Sequence, residues 1–191
     1  MTLQNLIINP RTVLFVDRDG VINRRLPGTY VKKTEEFEFL EGVLEAFKIF
    51  DRIFFKIFVV TNQQGIGKGY MTEQELTKVH QHLLTKIQQS GGRIDRIYHA
   101  PQLATLNPPM RKPNTGMALA AKRDFPHIDL SNAIMVGDSK SDMQFGNNAG
   151  MQNVFIHPHP LTHDDIPYIL HFEHLIDFAR FIKQNKYSSQ L

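Results

Sequence analysis

The sequence predicts an α/β fold: a parallel sheet with helices on both faces. Three observations carry this expectation. Short apolar, β-prone runs alternate with amphipathic stretches from Thr12 to Lys183, the pattern of successive strand–helix units. Three of those runs stop at a polar residue, at Asp17, Thr61 and Asp138. No internal repeat and no low-complexity linker interrupts the pattern, so the 191 residues read as one domain, 1–191, a length that supports a full hydrophobic core.

The elements follow in order. Thr12 to Val16 is a short strand ending at Asp17. Val43 to Ile53 is a helix with Val43, Phe47 and Phe50 on one face, and Lys56 to Val60 is the second strand. The next helix is the most strongly marked. Thr72 and Glu75 form a capping-box pair, Leu76, Val79, Leu83 and Ile87 repeat at helical spacing, and Gly91-Gly92 ends it. Ile94 to Tyr98, Ile134 to Val136 and Asn153 to Ile156 are expected strands, with a helix from Gly116 to Asp124 and another after Asp138. Tyr168 to Phe172 and Glu173 to Lys183 complete the series as strand and helix, their aromatic residues serving the core. His80 and His82 on the second helix are assigned to a solvated face.

Composition narrows the function. The chain is 41% hydrophobic and 21% charged, ordinary for a soluble globular protein. No apolar run nears the ~20 residues needed to cross a bilayer. Met1 to Arg11 lacks a basic stretch followed by an apolar one, so a cytoplasmic protein is expected. With no cysteine, disulfides, thiolate zinc sites and cysteine nucleophiles are excluded. A net charge of +3 suits anionic ligands, but Arg24-Arg25 and Lys32-Lys33 are short pairs, not the dense patch of a nucleic-acid binder.

Four motifs carry chemistry. In Asp17-Arg18-Asp19-Gly20 the i, i+2 spacing turns both carboxylates to one side of an extended segment, and Gly20 lets the chain turn away. One carboxylate can attack phosphorus; the other can protonate the leaving alkoxide and then deprotonate water. A calcium loop would need a third acid or Asn at 21 and Gly at 22, where Val21 and Ile22 stand. In Thr61-Asn62-Gln63-Gln64-Gly65 a hydroxyl and backbone N–H groups at a strand end suit phosphate oxygens. The nearby glycines form neither a dinucleotide fingerprint, which fails at Tyr70, nor a P-loop, which fails at Asn62 and Gly69. In Arg111-Lys112-Pro113, Pro113 restricts Lys112 and helps aim an ammonium at the phosphate. In Gly137-Asp138-Ser139-Lys140-Ser141-Asp142, two oxygen ligands at i, i+4 suit Mg²⁺. Asp17, Thr61 and Asp138 all fall at the carboxyl edge of the expected sheet, where open α/β sheets bind ligands.

This ordered set resembles the haloacid-dehalogenase-like phosphatases, and more narrowly the histidinol-phosphate and heptose-1,7-bisphosphate phosphatase branch. Tyr30-Val31, the stretch from Phe37 to Val43 and the stretch from Arg111 to Met117 are similar to that branch as well. The resemblance spans roughly residues 12 to 185. It implies a three-layer Rossmann-like fold with a small flap after the first strand and no large cap. It also implies Asp17 as nucleophile and Asp19 as general acid/base. Mg²⁺ would be held by Asp17, the Asp19 carbonyl and Asp138, with Asp142 behind them. Thr61 and Lys112 would hold phosphate, and Asn62, Gln63 and Arg111 would position phosphate or substrate. The implied substrate is a small phosphate ester, best a sugar bisphosphate such as heptose 1,7-bisphosphate. Alternatives are histidinol phosphate, a polynucleotide 3′-phosphate and a non-catalytic phosphate-binding role. No nucleic-acid or membrane partner is expected, and a monomer is favoured.

Two departures stand out. Ala100, Gln102, Pro108 and Met110 occupy the places of the zinc-binding Cys-x-His and Cys-x-Cys pairs common in that branch, so no structural zinc is expected and a loop from Pro101 to Pro109 replaces it. Phe54-Phe55 stands where relatives carry a glycine. His157, His159 and His163 follow the fifth strand among prolines and are assigned to structural or solvated roles rather than to a metal.

Overall fold

The computed structural model describes residues 6–160 and 167–188; His163 lies outside them. Six parallel strands form one sheet in the order β3-β2-β1-β4-β5-β6. They are β1 (Val13–Val16), β2 (Lys56–Asn62), β3 (Arg96–Ala100), β4 (Ala133–Gly137), β5 (Gln152–Ile156) and β6 (Leu170–Phe172). The helices are α1 (Val43–Asp51), α2 (Glu73–Gln89), α3 (Gly116–Asp124), α4 (Lys140–Asn148) and α5 (Leu175–Ser188). The expected fold class holds.

Strand alternation sorts the core into two halves, as a sheet buried on both faces requires. Leu14, Val16, Ile57, Val59, Ile134 and Val136 point to the side covered by α1, α2 and α5. Val13, Phe15, Phe58, Val60 and Met135 point to the side covered by α3 and α4. Phe54 belongs to the first half. It is 3% exposed and meets the Phe50 ring edge-on at 5.6 Å, so Phe54 is a core side chain.

The Thr72–Glu75 capping box forms at the start of α2, with the Glu75 N–H donating to Thr72 Oγ1 and the Thr72 N–H to Glu75 Oε2, an N-cap contribution of about 1 kcal/mol. Residues 17–42 form the flap. It is tied down by bridges of Asn23 to Asp19 and to Phe39, and no larger cap stands among the described residues. The loop after β3 is stapled by Asn114, whose amide donates to Asn107 Oδ1 (2.9 Å) and to the Pro108 carbonyl (3.0 Å).

Candidate active site

β1 lies between β2 and β4 in register, Val16 opposite both Val59 and Val136. The residues that follow these three strands therefore meet at one edge. The Asp17 N–H donates to the Val136 carbonyl, continuing the ladder into the site. The chain then turns around the Arg18 carbonyl, which accepts from the N–H groups of Ile22 and Asn23. Gly20 takes φ +99°, and a Cβ there would lie 1.9 Å from Asp138 Oδ2. Glycine at position 20 is what lets β4's aspartate approach β1.

Three carboxylates, from Asp17, Asp138 and Asp142, offer oxygens all within 4.8 Å of one another. Burial, then the Asp142 charge, pushes Asp17 up to about 6, against the pull of Lys112. Burial, then Asp17 and Asp142, pushes Asp138 up to about 8. Lys112 is 3% exposed. Its ammonium pairs with Asp17 Oδ1 at 2.7 Å and Asp142 Oδ1 at 2.6 Å, and donates to the Val60 carbonyl at 2.8 Å. Burial works against its charge, but Asp142 and Asp17 outweigh it and raise its pKa. The other Asp142 oxygen accepts from the Ser139 N–H and Oγ. Asp142 thus fixes the lysine and the start of α4.

Asp19 is in a different setting. The Arg18 guanidinium grips both its oxygens, at 3.0 and 2.9 Å, and Asn23 and Gln63 donate one amide each. Burial would raise its pKa, but the Arg18 charge and these donors hold it below the usual carboxylate range.

The expected phosphate-binding residues divide. Asn62 and Lys112 interlock, Lys112 N–H to Asn62 Oδ1 and Asn62 Nδ2 to the Lys112 carbonyl, so Asn62 positions the lysine backbone. Gln63 is fully buried, its amide donating to Asp19 and to Thr61 Oγ1. Thr61 is 1% exposed. These two support Asp19 from behind. Arg111 does reach the cleft, and its Nη1 is buried with no partner. A cleft of about 480 Å³ opens in front, walled by Asp17, Asp19, Asn62, Arg111, Lys112 and the flap from Arg25 to Val31.

Several contributors escaped the sequence reading. Arg25, noticed only as half of a basic pair, donates Nη2 to the Asp19 carbonyl and to Asp138 Oδ1, both at 2.9 Å. Tyr30 seats the flap. Its ring lies against Gly65, where a Cβ would come within 2.8 Å, and Lys68 stands over both Tyr30 and Tyr70. His80 corrects an expectation outright. It is half-buried rather than solvated, and its Nε2 meets Arg18 Nη1 at 3.1 Å. His82 is also half-buried, against Phe37 and Phe39. The His159 backbone N–H donates to His157 Nδ1, and among the described residues the only potential ion-holding cluster of His, Asp or Glu is the three-aspartate one.

The acidic nest at the carboxyl edge of this sheet, with a lysine built into it, is the arrangement that the resemblance to haloacid-dehalogenase-like phosphatases implied. The HAD-hydrolase-like family model matches residues 109–165. The chain is 37% identical, over 90% of its length and 95% of the relative's, to a D-glycero-alpha-D-manno-heptose-1,7-bisphosphate 7-phosphatase of Campylobacter jejuni. It is 36% identical to the beta-anomer phosphatase of Vibrio cholerae, over 74% of this chain and 78% of that one. Its fold superposes with a TM-score of 0.80 and 26% identity on the D,D-heptose 1,7-bisphosphate phosphatase of B. bronchiseptica, solved with magnesium and phosphate, covering 91% of this chain and 99% of the other. The chain belongs to the heptose-bisphosphate phosphatase branch of the haloacid-dehalogenase-like phosphatases, and is a phosphoric monoester hydrolase.

Proposed function

We propose that the chain removes one phosphate from a heptose 1,7-bisphosphate with Asp17 as nucleophile and Mg²⁺ as its metal. The observation that supports this best is the convergence of Asp17 and Lys112 on the wall of a cleft that also presents Arg111 and Lys68, with Asp138 clustered against Asp17. A substrate with two phosphates calls for cations in two places. Lys112 serves the reacting phosphate, and Arg111 and Lys68 face the other.

The donor set fits magnesium. Asp17, Asp138 and the Asp19 carbonyl are hard oxygens, few in number. Two of them already face a cation, the Arg25 guanidinium, and the raised proton affinity of Asp17 and Asp138 marks charge still to be compensated. Bound there, Mg²⁺ supplies charge that neutralises the phosphoryl oxygens. No structural zinc is proposed for the loop from Ala100 to Met110, which carries no cysteine.

Asp17 attacks phosphorus and forms an aspartyl phosphate while the P–O bond to the sugar breaks. Asp19 gives the leaving alkoxide a proton, which arrives with the substrate monoanion. An incoming phosphate raises the proton affinity of the adjacent Asp19 carboxylate. Asp19, now ionised as in the resting site, then takes a proton from the water that cleaves the aspartyl phosphate. Lys112 keeps Asp17 ionised and aligned throughout, and Thr61 and Gln63 hold Asp19 in place.

The test is a turnover screen with Mg²⁺ across both heptose 1,7-bisphosphate anomers, histidinol phosphate and a 3′-phosphorylated oligonucleotide. One heptose anomer is expected to exceed every other substrate at least tenfold in kcat/KM. A preference for histidinol phosphate or the oligonucleotide would overturn the substrate assignment.

A further inference from the structure

The geometry points to His80 as a positioning residue for the general acid/base, acting through Arg18. The inference rests on the reading of Asp19 given above. Arg18 follows the nucleophile directly and is fully buried. A buried guanidinium is costly unless most of its donors are paired. Nη2 spans both Asp19 oxygens and Nη1 meets His80 Nε2, while Nε has no partner. Asp19 and His80 are thus its two side-chain anchors, and the fork on Asp19 is held from behind by a residue of α2.

The chemistry of position 80 is restrictive. Arg18 has only donors to offer, so the ring nitrogen facing it must accept, which needs a neutral imidazole with its proton on Nδ1. Burial, then the neighbouring Arg18 charge, drives the His80 pKa down to about 3 and keeps it neutral. A carboxylate here would compete with Asp19 for Arg18. An apolar side chain would leave Nη1 buried and unpaired, and the guanidinium would shift towards a new partner. A neutral acceptor does neither. Behind His80, the His99 ring lies edge-on at 5.8 Å and is itself bonded to Glu73 at 2.9 Å, which limits the tilt of the His80 ring.

Asn23 and Gln63 still hold Asp19 when Arg18 loosens, so the loss should be partial and confined to proton transfer. Leaving groups of high pKa depend on that proton, and activated aryl leaving groups depend on it less. His80→Leu is expected to lower kcat on the sugar phosphate about tenfold, a cost typical of small misplacement, with KM within about twofold of wild type. On p-nitrophenyl phosphate the fall should stay under about threefold. His80→Gln, whose amide oxygen reaches the place of Nε2, should recover most of the rate. Equal losses on both esters, or a Gln variant no better than the Leu variant, would overturn the assignment.

Asp19→Asn measured beside them separates the two readings. If it lacks the ester dependence, the role of Asp19 fails and the His80 assignment fails with it. If it shows the dependence and His80→Leu does not, only His80 fails. Should the Leu variant not fold, nitrogen-15 NMR of the wild-type protein decides. Nε2 is expected as an unprotonated acceptor and Nδ1 as protonated, and the opposite tautomer would overturn the assignment.

Discussion

Asp17 and Asp19 stand two residues apart and face the same cleft, yet their proton affinities move in opposite directions. Asp17 shares its site with two more carboxylates and one lysine, and is pushed up to about 6. Asp19 is gripped by a guanidinium and two amides, and is held below the usual range. The first is a cluster of negative charge short of cations; the second is a saturated carboxylate. Sequence spacing puts both on one side of the chain, but Asp138, Asp142 and Lys112 around the one and Arg18, Asn23 and Gln63 around the other divide the labour between them.

The comparison breaks most visibly at Asp17. Asp17→Asn keeps the shape and removes the proposed nucleophile, so kcat should fall at least ~10³-fold while the melting temperature of the metal-free protein does not drop. A variant within tenfold of wild-type activity would rule out Asp17 as the nucleophile.

The metal sharpens it next. Because the folded-state values of Asp17 and Asp138 lie above the ordinary 3.8, their contribution to stability is complete below about pH 4 and is lost as pH rises through about 6 and about 8. The low value at Asp19 works in the opposite sense, and its contribution is lost only in acid, below 3.8. The melting temperature of EDTA-treated protein should therefore decline from pH 5 to pH 8, and added Mg²⁺ should raise it more at pH 8 than at pH 5. Turnover should stop in EDTA and return with Mg²⁺, and elemental analysis should find no stoichiometric zinc. A melting temperature that rises with pH in EDTA would contradict the crowded-carboxylate picture.

The smallest effect concerns Arg25, which donates to the Asp19 carbonyl and to Asp138. It is half exposed, so its hold is worth only a fraction of a kcal/mol to about 1 kcal/mol. Arg25→Gln should tighten Mg²⁺ binding to the substrate-free protein about threefold at pH 8 by calorimetry. Weaker binding would mean that Arg25 and the metal do not share these oxygens.

The sheet was legible because burial on both faces writes continuous apolar runs, and α3 ran from Gly116 to Asp124 as expected. Strand ends were less so. β2 continues through Thr61 and Asn62, which look like turn residues but pair with His99 and Ala100 of β3. β3 starts at Arg96 rather than Ile94, because Asp95 Oδ2 caps the Ile57 N–H ahead of the strand. At the site, the acids and Lys112 could be read from motif spacing. Gln63 could not, since a polar residue at a ligand-binding edge looks like a ligand contact until its neighbours are known. His80 carried a usable signal that polarity masked. It stands four residues after Leu76 and three before Leu83, on the same stripe as the buried residues of α2. Arg25 carried none, because an exposed flap residue finds its partner only through tertiary structure.

The central place of β1 in the sheet also bears on how the enzyme comes into being. β1, β2 and β3 are consecutive neighbours and need only local crossovers to assemble, whereas Lys112 meets Asp17 across 95 positions of chain and Arg25 meets Asp138 across 113. Distant pairings of this sort cost loop-closure entropy before any contact rewards it. Until β4 docks on β1, Asp17 and Asp19 are in place but face no third acid. The crowding of negative charge therefore exists only where β4 is paired with β1, and a cation that relieves it stabilises that pairing as well.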